Sequence, residues 1–125
     1  MIRTVEISKE RWPAFVETIN KLTDGRPVRL EVAHRELGDQ EMEELLPLVD
    51  FDFETKGSEK GRVMIAVSSG HGELNHLIDQ PLRISVGLND AGTVEWIAID
   101  EPGEATTIVH FASLPELEET YGAEA

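Results

Sequence analysis

The chain contains no cysteine. That absence excludes disulfides, thiolate nucleophiles and the cysteine-rich zinc and iron–sulfur sites, and it fits a reducing compartment. Aromatic residues are scarce, at 6%. Apolar runs are short, and none approaches the roughly 20 residues that span a bilayer as a helix. The opening residues, MIRTVEISKERW, carry no apolar signal core. A cytoplasmic location away from membranes is the expectation. Basic residues are also few, 11 against 25 acidic ones, for a net charge of −14. Such a chain repels nucleic-acid phosphate and anionic lipid. Its arginines form no patch, because Glu31 and Glu36 interrupt Arg26, Arg29 and Arg35. The acidity has three readings: solubility through repulsion, a basic partner protein, or a salty cytoplasm in which screening weakens self-repulsion.

What is present suits one domain, residues 1–125, with a core over about 4–111. The stretch from Ser8 to Gly25 predicts a helix. Trp12, Phe15, Val16, Ile19 and Leu22 recur at steps of three and four, which puts them on one face. Ser8 is a candidate N-cap and Gly25 a natural stop. Pro13 would be awkward at a fifth helical position, which moves the regular helix towards Trp12. From Pro27 the period becomes two. VRLEVAH, LVDFDFET, RVMIAVS, LRISVGL and TTIVHF read as half-buried strands, and TVEWIAID as a further strand. GSEKG, NDAG and EPGE supply turns. Residues 36–48 have helical composition, but Gly38-Asp39 is a hairpin signal, and the hairpin is preferred. SLPELEETYG opens with a capping box, Ser113 to Glu116, and predicts a short C-terminal helix before an acidic tail. With no helices between the strands, neighbours must run antiparallel. The expected fold is α+β: an N-terminal helix packed on a curved, mostly antiparallel sheet, a meander or partly closed barrel, with the short helix at the end.

The chemistry-bearing residues are sparse. His71 and His76 stand five apart in SSGHGELNHLIDQP, with Glu73 and Asp79 near. Five suits neither a helix face, which wants three or four, nor a strand face, which wants an even number. SSGHG reads as a turn that leaves His71 at its tip. His76 belongs to a strand, on one face with Leu74 and Ile78. A metal would need His34 or His110 to converge with it, so no metal or cofactor is expected. No G-x-S-x-G elbow surrounds Ser68 or Ser69, and no glycine motif cradles phosphate. Asp50 and Asp52 share a strand face about 7 Å apart, as the polar side of an amphipathic strand. TVEWIAID differs from the other strands. Val94, Trp96 and Ala98 line one side, and Ile97 and Ile99 the other. A strand apolar on both sides is covered on both. The second cover is a C-terminal helix, a barrel wall or another subunit.

Together, ERWPAF, VRLEV, LGDQ, ELLPLVDF, NHLIDQP, LRISV, AGTVEWIAI and TTIVHF follow one another in an order that resembles a family of short, uncharacterised bacterial proteins known only as a domain of unknown function. The H-x-I-x-x-P element of His76, Ile78 and Pro81 is its most recognisable piece. The resemblance covers roughly Thr4 to Phe111. It implies no activity, ligand or catalytic residue, and it favours an extended 36–48. The expectation from sequence is a non-enzymatic binding or self-assembly module, paired as a homodimer or with a basic protein. The alternative is a ligand- or metal-binding protein or enzyme whose pocket gathers His34, His76, Asp79 and His110. The candidate binding residues are His34, His76, Asp79, Trp96 and His110.

Overall fold

In the computed structural model, residues 1–34, 36, 38–41, 45–58 and 60–112 are described, 39–41 by backbone alone. The elements are β1 (Arg3–Ile7), α1 (Trp12–Thr23), β2 (Pro27–His34), β3 (Gly38–Glu41), β4 (Leu46–Phe53), β5 (Val63–Ser68), β6 (Glu73–Ile78), β7 (Arg83–Leu88), β8 (Val94–Glu101) and β9 (Ala105–Phe111). Every strand pair is antiparallel. The sheet order is β1-β7-β8-β9-β2-β4-β5-β6, with β3 paired to β2 off this path. The two ends, β1 and β6, do not pair with each other, so the expected curved sheet is present but does not close into a barrel.

The sheet folds into two layers where β2 meets β4 through only two residue pairs, Pro27 with Pro47 and Val28 with Leu46. The large layer is β1, β7, β8, β9, β2 and β3. The small layer is β4, β5 and β6. Their facing residues make the core. Val28, Ile84, Val86, Ile97, Ile99, Val109 and Phe111 come from the large layer, and Leu48, Phe51, Val63, Ile65, Val67 and Ile78 from the small one. Burial of these side chains is the main driving force for the fold.

Helix α1 begins at Trp12, after a single 3-10 turn over Lys9–Arg11, with Pro13 in its first turn. There the missing proline N–H costs no hydrogen bond. Ser8 caps nothing through its side chain. Trp12, Val16 and Ile19 reach the core. Leu22 does not, contrary to its helical spacing: it is 70% exposed, and Thr23 is buried in its place, its hydroxyl donating to the Ile19 carbonyl at 2.6 Å. The helix packs on β4. Asn20 Oδ1 accepts the Phe51 N–H at 2.9 Å, on the side of β4 away from β5 and beyond its two-pair contact with β2. Trp12 Nε1 donates to the Ile7 carbonyl at 2.9 Å, tying the helix to β1.

Strand β1 adds RTVEI to the sheet beside β7. Two local expectations need correction. The β2–β3 hairpin forms, but Gly38 is already paired with His34, so the turn precedes the Gly38-Asp39 step. Leu82 and Leu74, which alternation places on one side with the buried Ile84 and Ile78, are 64% and 51% exposed. The predicted C-terminal helix, from Ser113, lies outside the described residues.

A candidate interaction surface on the large layer

Alternation gives the large layer a second face. Its inward residues are core. In register beside them, outward, stand Gly87 on β7, Trp96 and Ala98 on β8, Ile108 and His110 on β9, and Arg29 and Glu31 on β2. Trp96 is paired with Gly87 on one side and His110 on the other. Its indole lies against Gly87 so closely that a Cβ there would collide with Cε2 and Nε1. The absent side chain is what lets the ring lie down and become half-buried on an otherwise open face. Ala98 and Ile108 are also partners in register, half-buried, and they extend the apolar strip.

Polar groups around the strip are paired with one another. His110 Nε2 donates to Glu31 Oε1 at 2.8 Å, with both side chains mostly buried. Arg83 lies between Glu6, at 3.5 Å, and Asp100, at 3.8 Å. Thr106 donates to Asp100 Oδ1 at 2.7 Å. Arg29 stands opposite His110 in register. The face thus brings Arg29 and Arg83 among Glu6, Glu31 and Asp100, in a chain of net charge −14.

The remaining sequence candidates lie elsewhere. His76 points into the gap between the layers, where its Nε2 meets the Thr107 hydroxyl at 2.9 Å. Thr107 is fully buried, so this bond satisfies a polar atom inside the core. His34 sits at the end of β2, on the face opposite His110, and its Nδ1 accepts the Glu36 N–H at 3.1 Å. Asp79 lies beyond β6 and accepts from Arg62 Nε at 2.7 Å. His71 is exposed in a turn closed by Ser69, whose hydroxyl donates to the Gly72 carbonyl. Of the five candidates, the structure brings only Trp96 and His110 together. Among the described residues no group of three His, Asp or Glu could hold a metal ion.

The small layer has its own outward face. Asp50 aligns with Ala66 and Asn75, and Asp52 with Met64 and Leu77. Partial burial holds the Asp50 carboxyl above its usual range, and the charges of Asp52, Glu73 and Asp24 raise it further.

Sequence reasoning missed Gly87, Glu31 and Ile108. The single glycine inside the alternating run LRISVGL was a usable signal, because a strand glycine marks close approach of a neighbour. Glu31 and Ile108 carried no such mark.

Fold and surface define an α+β protein built on an open, two-layered antiparallel sheet, with no helix among the described residues long and apolar enough to cross a membrane. The chain belongs to a family of unknown function, DUF5335, whose model matches residues 3–120. No curated protein and no solved structure matches it.

Proposed function

We propose that this protein is a non-enzymatic self-assembly module that pairs as a homodimer through the outward face of its large layer. The observation that supports this is the half-buried apolar strip of Trp96, Ala98 and Ile108 on the outward face of the large layer. A two-fold interface places the same patch on both copies, so it must be self-complementary. Two chains of charge −14 repel, and they approach most easily where arginines lie among the acidic groups, as Arg29 and Arg83 do on this face. A half-buried tryptophan at the centre of such a patch is a typical anchor.

The alternative pocket has less support. His110 lies on the outward face and His34 and His76 on the inward side, His76 bonded to Thr107, and each ring nitrogen named above already has a partner within the chain.

The chain has no cysteine, so single thiols can be introduced at will. Ala33→Cys, Ser85→Cys and Ala98→Cys lie on the proposed interface, and Thr18→Cys on exposed α1 serves as control. Mild oxidation should cross-link at least one of the first three and leave the control monomeric. Equal cross-linking at all four positions, or none, would contradict the proposal.

A further inference from the structure

Strand β6 ends the sheet path, and among the described residues nothing pairs with its outer edge. Such edges are usually guarded by charge, proline or a bulge. The other end, β1, is guarded: it carries Arg3 and Glu6, both exposed, and Glu6 is paired with Arg83. Strand β6, ELNHLI, has no proline, lysine or arginine, and its register with β5 runs unbroken from Ile78 to Glu73. It also exposes one leucine on each side of the strand, Leu74 at 51% and Leu77 at 48%. The edge is firmly held, because His76 is bonded to Thr107 across the layers and Ile78 is fully buried. An added strand would therefore meet a fixed template.

The charge around this edge selects the occupant. Strands β4, β5 and β6 contain no lysine or arginine, while Asp50, Asp52 and Glu73 project from the outward face. Burial raises the Asp50 carboxyl most, and the neighbouring charges of Asp52 and Glu73 raise it further. A second copy added here would bring two acidic faces side by side. A basic segment would relieve that repulsion.

We infer that the free edge of β6 takes up an extended segment of a basic protein as an added strand, with lysine or arginine at alternate positions over the acidic face and apolar residues beside Leu74. This surface is separate from the proposed dimer face.

The test uses the full chain and three eight-residue peptides. One alternates valine and lysine, one alternates valine and glutamate, and the third is the lysine peptide with N-methylated backbone amides along one edge. Binding is read by titration calorimetry and by protection of β6 amides in hydrogen exchange. The lysine peptide should bind, protect alternate amides of β6, and weaken about tenfold between low and high salt as screening grows. The glutamate and N-methylated peptides should fail to bind. Glu73→Lys should weaken the lysine peptide several-fold, and so should Leu77→Lys. Both positions are exposed, so folding is kept, and circular dichroism checks it. Equal binding of the glutamate peptide would overturn the basic partner. Binding of the N-methylated peptide would overturn strand addition. Absence of binding, or protection of β6 amides by self-association alone, would overturn the whole inference. None of these outcomes bears on cross-linking through Ala98→Cys, so the two surfaces fail independently.

Discussion

Trp96 lies against Gly87 on the neighbouring strand, in the space that a side chain at position 87 would fill. The pair explains how a large aromatic can sit half-buried on the outward face of a sheet. It also makes the conformation of Trp96 hostage to one backbone position. Gly87→Ala should push the indole away and cost about 1–3 kcal/mol, the usual range for overpacking. Urea unfolding measures the loss. Tryptophan fluorescence should shift to longer wavelength as Trp96 becomes more exposed, since Trp12 stays buried.

The bond between His76 and Thr107 is the one place where a sequence candidate turned out to serve the core. His76→Ala should leave the Thr107 hydroxyl buried without that partner and cost about 1–3 kcal/mol. Thr107→Val in the His76→Ala background should recover part of the loss, because the unpaired hydroxyl is then gone. A double-mutant cycle by chemical denaturation checks both. If the two substitutions add, the bond contributes nothing.

Asn20 joins α1 to β4 through the Phe51 N–H. Asn20→Ala strands that backbone donor at a partly covered site. A loss of roughly 1 kcal/mol is expected, together with faster exchange of the Phe51 amide. Asn20→Asp should keep the acceptor and spare most of the stability.

Asp50 gives a dependence on pH. Its carboxyl is held above the ordinary range by burial and by Asp52, Glu73 and Asp24. The folded state therefore binds this proton more tightly than the unfolded chain. The stability it adds is complete below the ordinary carboxylate range and is lost as pH rises through the raised folded value. At neutral pH Asp50 is charged and opposes folding. Asp50→Asn should raise the melting temperature at pH 7, with the gain vanishing in acid below that range. A gain that is constant with pH would show that charge is not the cause.

Much of this architecture was legible. The steps of three and four from Trp12 to Ile19 gave α1, and Pro13 placed its start. Alternation gave β2, β4, β5, β7 and β9, because each has one face in the core, and β8 was marked by apolar residues on both sides. The two-sided apolar pattern around Trp96 pointed to the outward face that now carries the proposal. What escaped depended on distant partners. Strand β1 is five residues long and gains its identity from pairing with β7, about eighty residues on. Leu74 and Leu82 fit their periodicities but fall at element ends, where neither layer reaches them, and Leu22 is turned away from the face that buries Trp12, Val16, Ile19 and Thr23. The destinations of the histidines were set by strand order. β9 pairs with β2, which brings His110 to Glu31. The fold-over of the small layer brings His76 to Thr107. Spacing along the chain encodes neither contact.

The measurement that bears most directly on the central claim is sedimentation velocity of the wild-type chain beside Trp96→Glu and Ile108→Glu, at physiological salt and micromolar concentration. The account predicts a dimer for the wild type and folded monomers for both variants, with circular dichroism confirming the fold. A wild-type monomer, or a dimer unchanged by either substitution, would contradict it.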